Sequence, residues 1–138
     1  MRASPRLIPE LDVSDLGESL RFYVELIGFS VRYERREEAF ALLDLNGASI
    51  MLQQAAGPGR RFSTAPLQRP FGRGMNLQIE VDDVERIVER LRGASLTPYL
   101  ELEDAWYRVG DREEGNRQFV VADPDGYLLR LFEDLGAR

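Results

Sequence analysis

A chain of 138 residues suits one compact domain or two half-sized units sharing a core, and 43% hydrophobic with 30% charged residues describes a globular rather than a disordered chain. The chain has no cysteine and no histidine, which excludes disulfides, a cysteine nucleophile, a Ser-His-Asp triad and thiolate- or histidine-based zinc and iron sites. A formal net charge of −6 argues against a nucleic-acid partner, and no apolar run approaches the ~20 residues of a membrane helix.

In chain order, residues 7–13 alternate as a strand with Leu7, Leu11 and Val13 on one face. Asp15 with Glu18 makes a capping-box pattern, and Leu16, Leu20, Tyr23 and Ile27 follow at helical spacing until Gly28. Strand-like runs come next at 29–33, 39–45 and 48–53, the last two joined by Asn46-Gly47, a strong hairpin signal. Residues 55–74 carry Gly57-Pro58-Gly59, Pro66, Pro70 and four arginines, the composition of a loop. The order then restarts. Residues 75–81 form a strand, Asp82 with Glu85 opens a second helix (Val84, Ile87, Val88, Leu91), and Gly93 ends it. A strand near 97–102, a charged loop at 110–116 and a hairpin of 117–122 with 127–133 complete the chain. The runs 35–38 (RREE) and 111–114 (DREE) read as solvated turns. The first residues lack a signal-peptide core, so a cytoplasmic location is expected.

The two halves echo each other. VSDL (13–16) matches VDDV (81–84), and LNGASIML (45–52) matches PDGYLLRL (124–131), each pair at the same point of a strand-helix-strand-strand-strand order. One such half is a sheet with a helix on one face only. Two halves with their bare faces opposed would form a partly closed cavity, the natural place for a ligand.

The segments VSDLGESLRFYVELIGFSV (13–31), GRGMNLQIEVDDVERIVERLRG (72–93) and RQFVVADPDGYLLRLFED (117–134) resemble the vicinal oxygen chelate superfamily, the glyoxalase/bleomycin resistance protein/dioxygenase group. The resemblance implies an α+β fold of two βαβββ modules, about 5–54 and 75–134 joined by the loop 55–74. These would form a partly closed, cavity-bearing sheet within a single 138-residue domain, usually paired with a second chain as a homodimer. It also implies where metal-dependent members keep their ligands: here Ile8, Met51, Asn76 and Arg130. Ile8 has no donor atom, Met51 is too soft for oxygen-preferring ions, Asn76 offers one weak carbonyl oxygen, and Arg130 carries a fixed positive charge. No metal and no cofactor are therefore expected. What remains resembles the bleomycin resistance proteins, which bind a bulky glycopeptide antibiotic stoichiometrically in clefts at a dimer interface. An acidic chain suits a large cationic ligand, although solubility explains the charge equally well.

Alternation nominates one face of four strands: Ile8, Glu10 and Asp12; Ser49, Met51 and Gln53; Asn76, Gln78 and Glu80; Leu128, Arg130 and Phe132. Arg130 either pairs with Glu10, Asp12 or Glu80, or binds an anionic or carbonyl group of a ligand. Trp106 is either a buried anchor or a stacking surface for a planar ligand. Phe62 and Phe71, in a loop with little core to serve, are the better candidates for ligand or dimer contacts. The expected ligand-binding set is thus Glu10, Asp12, Met51, Gln53, Phe62, Phe71, Asn76, Gln78, Glu80, Trp106 and Arg130. Two other readings compete with simple binding. One is a metal-independent enzyme of the same superfamily, with Glu10, Asp12 or Glu80 as acid or base beside Arg130 as electrophile. The other is a regulatory module.

Overall fold

Each helix begins at an aspartate whose carboxylate accepts a backbone N–H that the helix leaves unpaired, and the computed structural model, which describes residues 5–138, shows the device twice. Asp15 Oδ1 accepts from the Glu18 N–H at 3.0 Å, and Asp83 Oδ1 accepts from the Arg86 N–H at 3.1 Å. The second cap lies one residue after the expected Asp82. The repeat explains why, since VSDL laid on VDDV aligns Asp15 with Asp83.

The chain divides into two units, one ending at Phe71 and one beginning at Gly72. The first holds β1 (Glu10–Val13), α1 (Leu16–Leu20) running on as a π-helical stretch (Arg21–Ile27), β2 (Ser30–Arg35), β3 (Phe40–Leu45) and β4 (Ala48–Gln54). The second holds β5 (Asn76–Glu80), α2 (Val84–Gly93), β6 (Leu100–Val109), β7 (Arg112–Ala122) and β8 (Leu128–Ala137). The sheet orders are β1-β4-β3-β2 and β5-β8-β7-β6. In each, the first strand lies parallel to the last and the other pairs are antiparallel. The fold is α+β, with the βαβββ order present twice and one four-stranded sheet in each module.

One face of each sheet is apolar and carries the helix. Phe22, Tyr23 and Ile27 are buried in the first unit with Leu11, Val13 and Leu52; Val84, Ile87, Val88 and Leu91 are buried in the second with Ile79, Phe119, Val121, Leu129 and Leu131. The π-helical stretch stops where the Gly28 N–H donates to the Tyr23 carbonyl at 3.0 Å, with Gly28 at φ 112°, a left-handed conformation suited to glycine. A second tie joins each last strand to its helix. The Leu16 N–H donates to Gln54 Oε1 and the Val84 N–H to Glu133 Oε2, both at 2.9 Å. Gln54 and Glu133 hold matching places in the two repeats, so the last strand caps the helix in both. No helix among the described residues is long and apolar enough to cross a membrane.

Two boundaries differ from expectation. The first strand starts at Glu10, leaving Leu7 exposed, because Pro9 has no N–H to give to a ladder. The larger difference is at 110–116. Only Gly110, at φ 65°, and Asp111 turn the chain; Arg112 to Glu114 already belong to β7, paired with Val109 to Tyr107. Arg112, Glu113 and Glu114 of the DREE run are therefore strand, and Asp111 alone keeps the turn. Its charges are satisfied along the surface, Glu114 by Arg112 at 2.9 Å and Glu113 by Arg138 at 2.9 Å.

Gln54→Ala and Glu133→Ala, which each leave a helix N–H unpaired, are expected to lower the unfolding free energy by about 1–3 kcal/mol in urea denaturation. Glu133→Gln keeps an acceptor and is expected to recover most of that loss.

Candidate functional site: a polar hollow on the second sheet

Pairing of β5 with β8 sets Gln78 beside Arg130 and Glu80 beside Phe132, while pairing of β8 with β7 sets Val120 beside Arg130 and Gln118 beside Phe132. Paired side chains share a face. Since Ile79, Phe119, Leu129 and Leu131 are buried on the helix side, these polar residues occupy the other. There they open into a hollow of about 410 Å³ whose floor includes Gln78, Glu80, Arg130 and Phe132. Tyr107, Val109, Glu114, Asn116 and Asp134 complete the wall.

The wall residues come from a part of the second module that the first lacks. The strands β6, β7 and β8 have 10, 11 and 10 residues, against 6, 6 and 7 for β2, β3 and β4. Sequence reasoning misses Tyr107, Val109, Glu114, Asn116 and Asp134 because it ends the sixth strand near 102, reads 110–116 as a loop and ends the last strand at 133. Period-two alternation carried across the Gly110-Asp111 turn would have been the signal.

Arg130 is half-buried. Its Nε lies fully covered with no hydrogen-bond partner, and no carboxylate in its own unit, Glu80 included, forms an ion pair with it. An uncompensated donor at this depth costs free energy. Behind the hollow, Gln118 is 1% exposed. Its amide nitrogen donates to Glu103 Oε2 at 2.9 Å and to the Tyr107 hydroxyl oxygen at 2.6 Å.

The residues expected from sequence separate into groups. Gln78, Glu80 and Arg130 come together in the hollow. Asn76 is exposed at the start of β5, paired with Leu128, and does not line it. Trp106 lies on the opposite face from Tyr107, its neighbour in β6. It pairs with Gly115, where a Cβ would stand 2.7 Å from the indole ring, and the Arg138 guanidinium covers it at 4.1 Å. It is a packing residue, not a stacking platform for this site.

In the first unit, the register Glu10–Met51 and Asp12–Gln53 puts these four on one face. Desolvation, then the nearby Asp12, hold the Glu10 carboxyl above its ordinary range, with Arg35 opposing. Met51 is half-buried. Gln53 is 2% exposed and committed elsewhere: its amide nitrogen donates to the Glu38 carbonyl at 2.7 Å and the Ala39 carbonyl at 3.3 Å. Gly59 lies so close over it that a Cβ would approach to 2.6 Å. Gln53 thus latches a turn and cannot serve a ligand without breaking it. Of the loop aromatics, Phe62 is 75% exposed with the Arg60 guanidinium 5.0 Å from its ring, whereas Phe71 is buried against its surroundings and unavailable as an open contact.

Among the described residues, no three His, Cys, Asp or Glu side chains cluster to hold a metal ion. The donor chemistry agrees, because Ile8, Met51, Asn76 and Arg130 offer an oxygen-preferring cation one amide oxygen and one repelling charge. These residues do not fit a divalent metal.

The βαβββ order thus occurs twice, and the second copy bears a polar hollow. Residues 9–131 match the family model of the Glyoxalase/Bleomycin resistance protein/Dioxygenase superfamily, and the chain belongs to that superfamily. A bleomycin resistance protein of Geobacillus stearothermophilus is 29% identical over 135 residues, covering 93% of this chain and 96% of its own. One from Staphylococcus aureus matches to the same extent. Among solved structures, TioX from Micromonospora sp. ML1 aligns with a TM-score of 0.69 at 20% identity, covering 96% of this chain and all (100%) of its own. TnmS3, an antibiotic binding protein from Streptomyces sp. CB03234, aligns at 0.62 with 22% identity over 97% and 98% of the two chains. These structural likenesses show the fold.

Gly115→Ala, which forces the indole of Trp106 to move, is expected to lower stability by about 1–3 kcal/mol in urea denaturation. For Glu10, the raised folded pKa means that its contribution is full below the unfolded value and lost as pH rises through the folded one. Glu10→Gln is thus expected to raise the unfolding free energy from urea denaturation slightly at pH 7, by roughly a fraction of a kcal/mol at this solvent-screened position, and to leave it unchanged near pH 3.

Proposed function

We propose that the chain is a metal-free, non-catalytic binding protein of the bleomycin-resistance type, which sequesters a bulky, amine-bearing small molecule. The observation that carries this reading is Arg130. It stands where the superfamily resemblance implies a metal ligand, and it lines a ligand-sized hollow, its covered Nε having no hydrogen-bond partner. A fixed cation there repels a metal and welcomes an acceptor oxygen. Three carboxylates, Glu80, Glu114 and Asp134, share the lining with this single arginine, which favours a ligand that also carries positive charge. The curated relatives are named for bleomycin resistance, and sequestration needs binding alone.

The volume of about 410 Å³ is at the lower end of drug-sized sites and holds only part of a glycopeptide. A homodimer would supply the remaining surface, and binding is proposed to occur at its interface, with one ligand per chain.

Titration calorimetry with metal-free bleomycin is expected to show stoichiometric binding with a dissociation constant below about 10 μM, a free energy of roughly −7 kcal/mol or better. Elemental analysis of the purified protein is expected to show no stoichiometric zinc, iron, nickel or manganese. Absence of heat at tens of micromolar would reject bleomycin as the ligand, and a stoichiometric metal would reject the metal-free reading.

A further inference from the structure

Residues 60–70 are all exposed and carry no regular secondary structure. The run is nonetheless tied at both ends. Gly59 lies against the Gln53 amide, itself bonded to the Glu38 and Ala39 carbonyls, and the Arg69 guanidinium donates to Ser14 Oγ at 2.9 Å. Between the ties, the Ser63 hydroxyl donates to the Ala65 carbonyl at 2.8 Å, and the Arg60 guanidinium stands 5.0 Å from the centre of the Phe62 ring. Phe62 is still 75% exposed. In a chain of net charge −6, the loop 55–74 holds four arginines and no carboxylate. Neither Arg60 nor Arg61 forms an ion pair among the described residues. An exposed aromatic ring beside two unpaired cations calls for a concave, acidic surface with apolar groups in it. The hollow on the second sheet is such a surface. Its wall carries Glu114 and Asp134, and Tyr107, Val109 and Phe132 supply apolar area. Glu114 shares its charge with Arg112 at 2.9 Å, and Asp134 Oδ1 accepts the Gly136 N–H at 2.7 Å. Glu80, set beside Phe132 on β5, has no ion pair among the described residues.

Resting on the reading of this hollow as a ligand site, we infer that a second copy of the chain completes it by docking its Arg60-Arg61-Phe62 segment on the wall. The partner's two arginines meet Glu114 and Asp134, and its Phe62 ring roofs the space. Glu80 is left for the amine of the ligand. The exchange is mutual, each loop on the other chain's hollow, so two equal contacts close a symmetric pair. Because the loop is already tied at both ends, docking orders little additional chain. The three carboxylates thereby divide, two holding the partner and one selecting the ligand.

Sedimentation equilibrium of the full chain is expected to show a dimer at tens of micromolar. Arg60→Glu/Arg61→Glu and Glu114→Lys/Asp134→Asn, each alone, are expected to weaken association at least about tenfold. The asparagine keeps an acceptor for the Gly136 N–H. Mixed in equal amounts, the two variants are expected to restore a 1:1 pair, because both contacts then again join opposite charges. Phe62→Ala is expected to weaken association about tenfold with the urea midpoint unchanged. This variant and Arg60→Glu/Arg61→Glu alter only exposed side chains, so their result stands whatever the wall substitutions do to folding. A monomeric wild-type chain, an association indifferent to the loop variants, or folded reversed variants that stay apart when mixed would each overturn the docking. Metal-free bleomycin separates this contact from the binding function. Glu80→Gln is expected to raise its dissociation constant about tenfold while leaving association unchanged; an unchanged dissociation constant would overturn the division of the carboxylates. If bleomycin binds the wild type and neither loop variant alters association, the docking is wrong and the binding function stands. If the reversed pair forms and bleomycin does not bind, the docking stands and the antibiotic falls.

Discussion

The parallel pairing of the first and last strands in each module is the constraint on which the rest depends. Parallel neighbours cannot be joined by a tight turn, so the intervening helix must cross over and bury one face of the sheet. Gln54 and Glu133 lock that crossover by holding the first helical N–H from the end of the last strand. In the second module the same pairing puts Gln78 beside Arg130. A slip of one residue would turn Arg130 into the apolar core and Leu129 outward, so the register that makes the core also aims the cation.

The two modules apply this frame to opposite ends. Where the first sheet sets Arg35 over the Phe40 ring at 4.1 Å, the matching pair in the second is Glu103 and Gln118, hydrogen-bonded at 2.9 Å. Met51 in the first corresponds to Arg130 in the second, and Gln53 to Phe132. The first sheet thus sets Met51, Phe40 and the latched Gln53 beside Glu10 and Asp12 on its free face, while the second lines a hollow with Gln78, Glu80 and Arg130. The added length of β6, β7 and β8 then raises a wall around them. The difference in strand length between the two modules is what raises a hollow on one sheet face and not on the other.

Much of the fold could be read from the sequence because its signals are local and repeated: two caps, two amphipathic helices, two turn glycines before a closing strand. The site was legible only where alternation was unbroken, as at Gln78, Glu80 and Arg130. It failed where charge density disguised a strand, hiding Glu114 and Asn116, and where parity decided between adjacent aromatics, so that Tyr107 rather than Trp106 faces the hollow. It failed differently at Gln53 and Phe71, whose burial depends on how a glycine-rich and proline-rich loop folds back. Loop paths rest on contacts distant in sequence, and no period reveals them.

Trp106, the chain's single tryptophan, is held between the backbone of Gly115 and the guanidinium of Arg138 on the far side of the sheet from the hollow. Its intrinsic emission therefore reports the integrity of the long hairpin and its terminal strand.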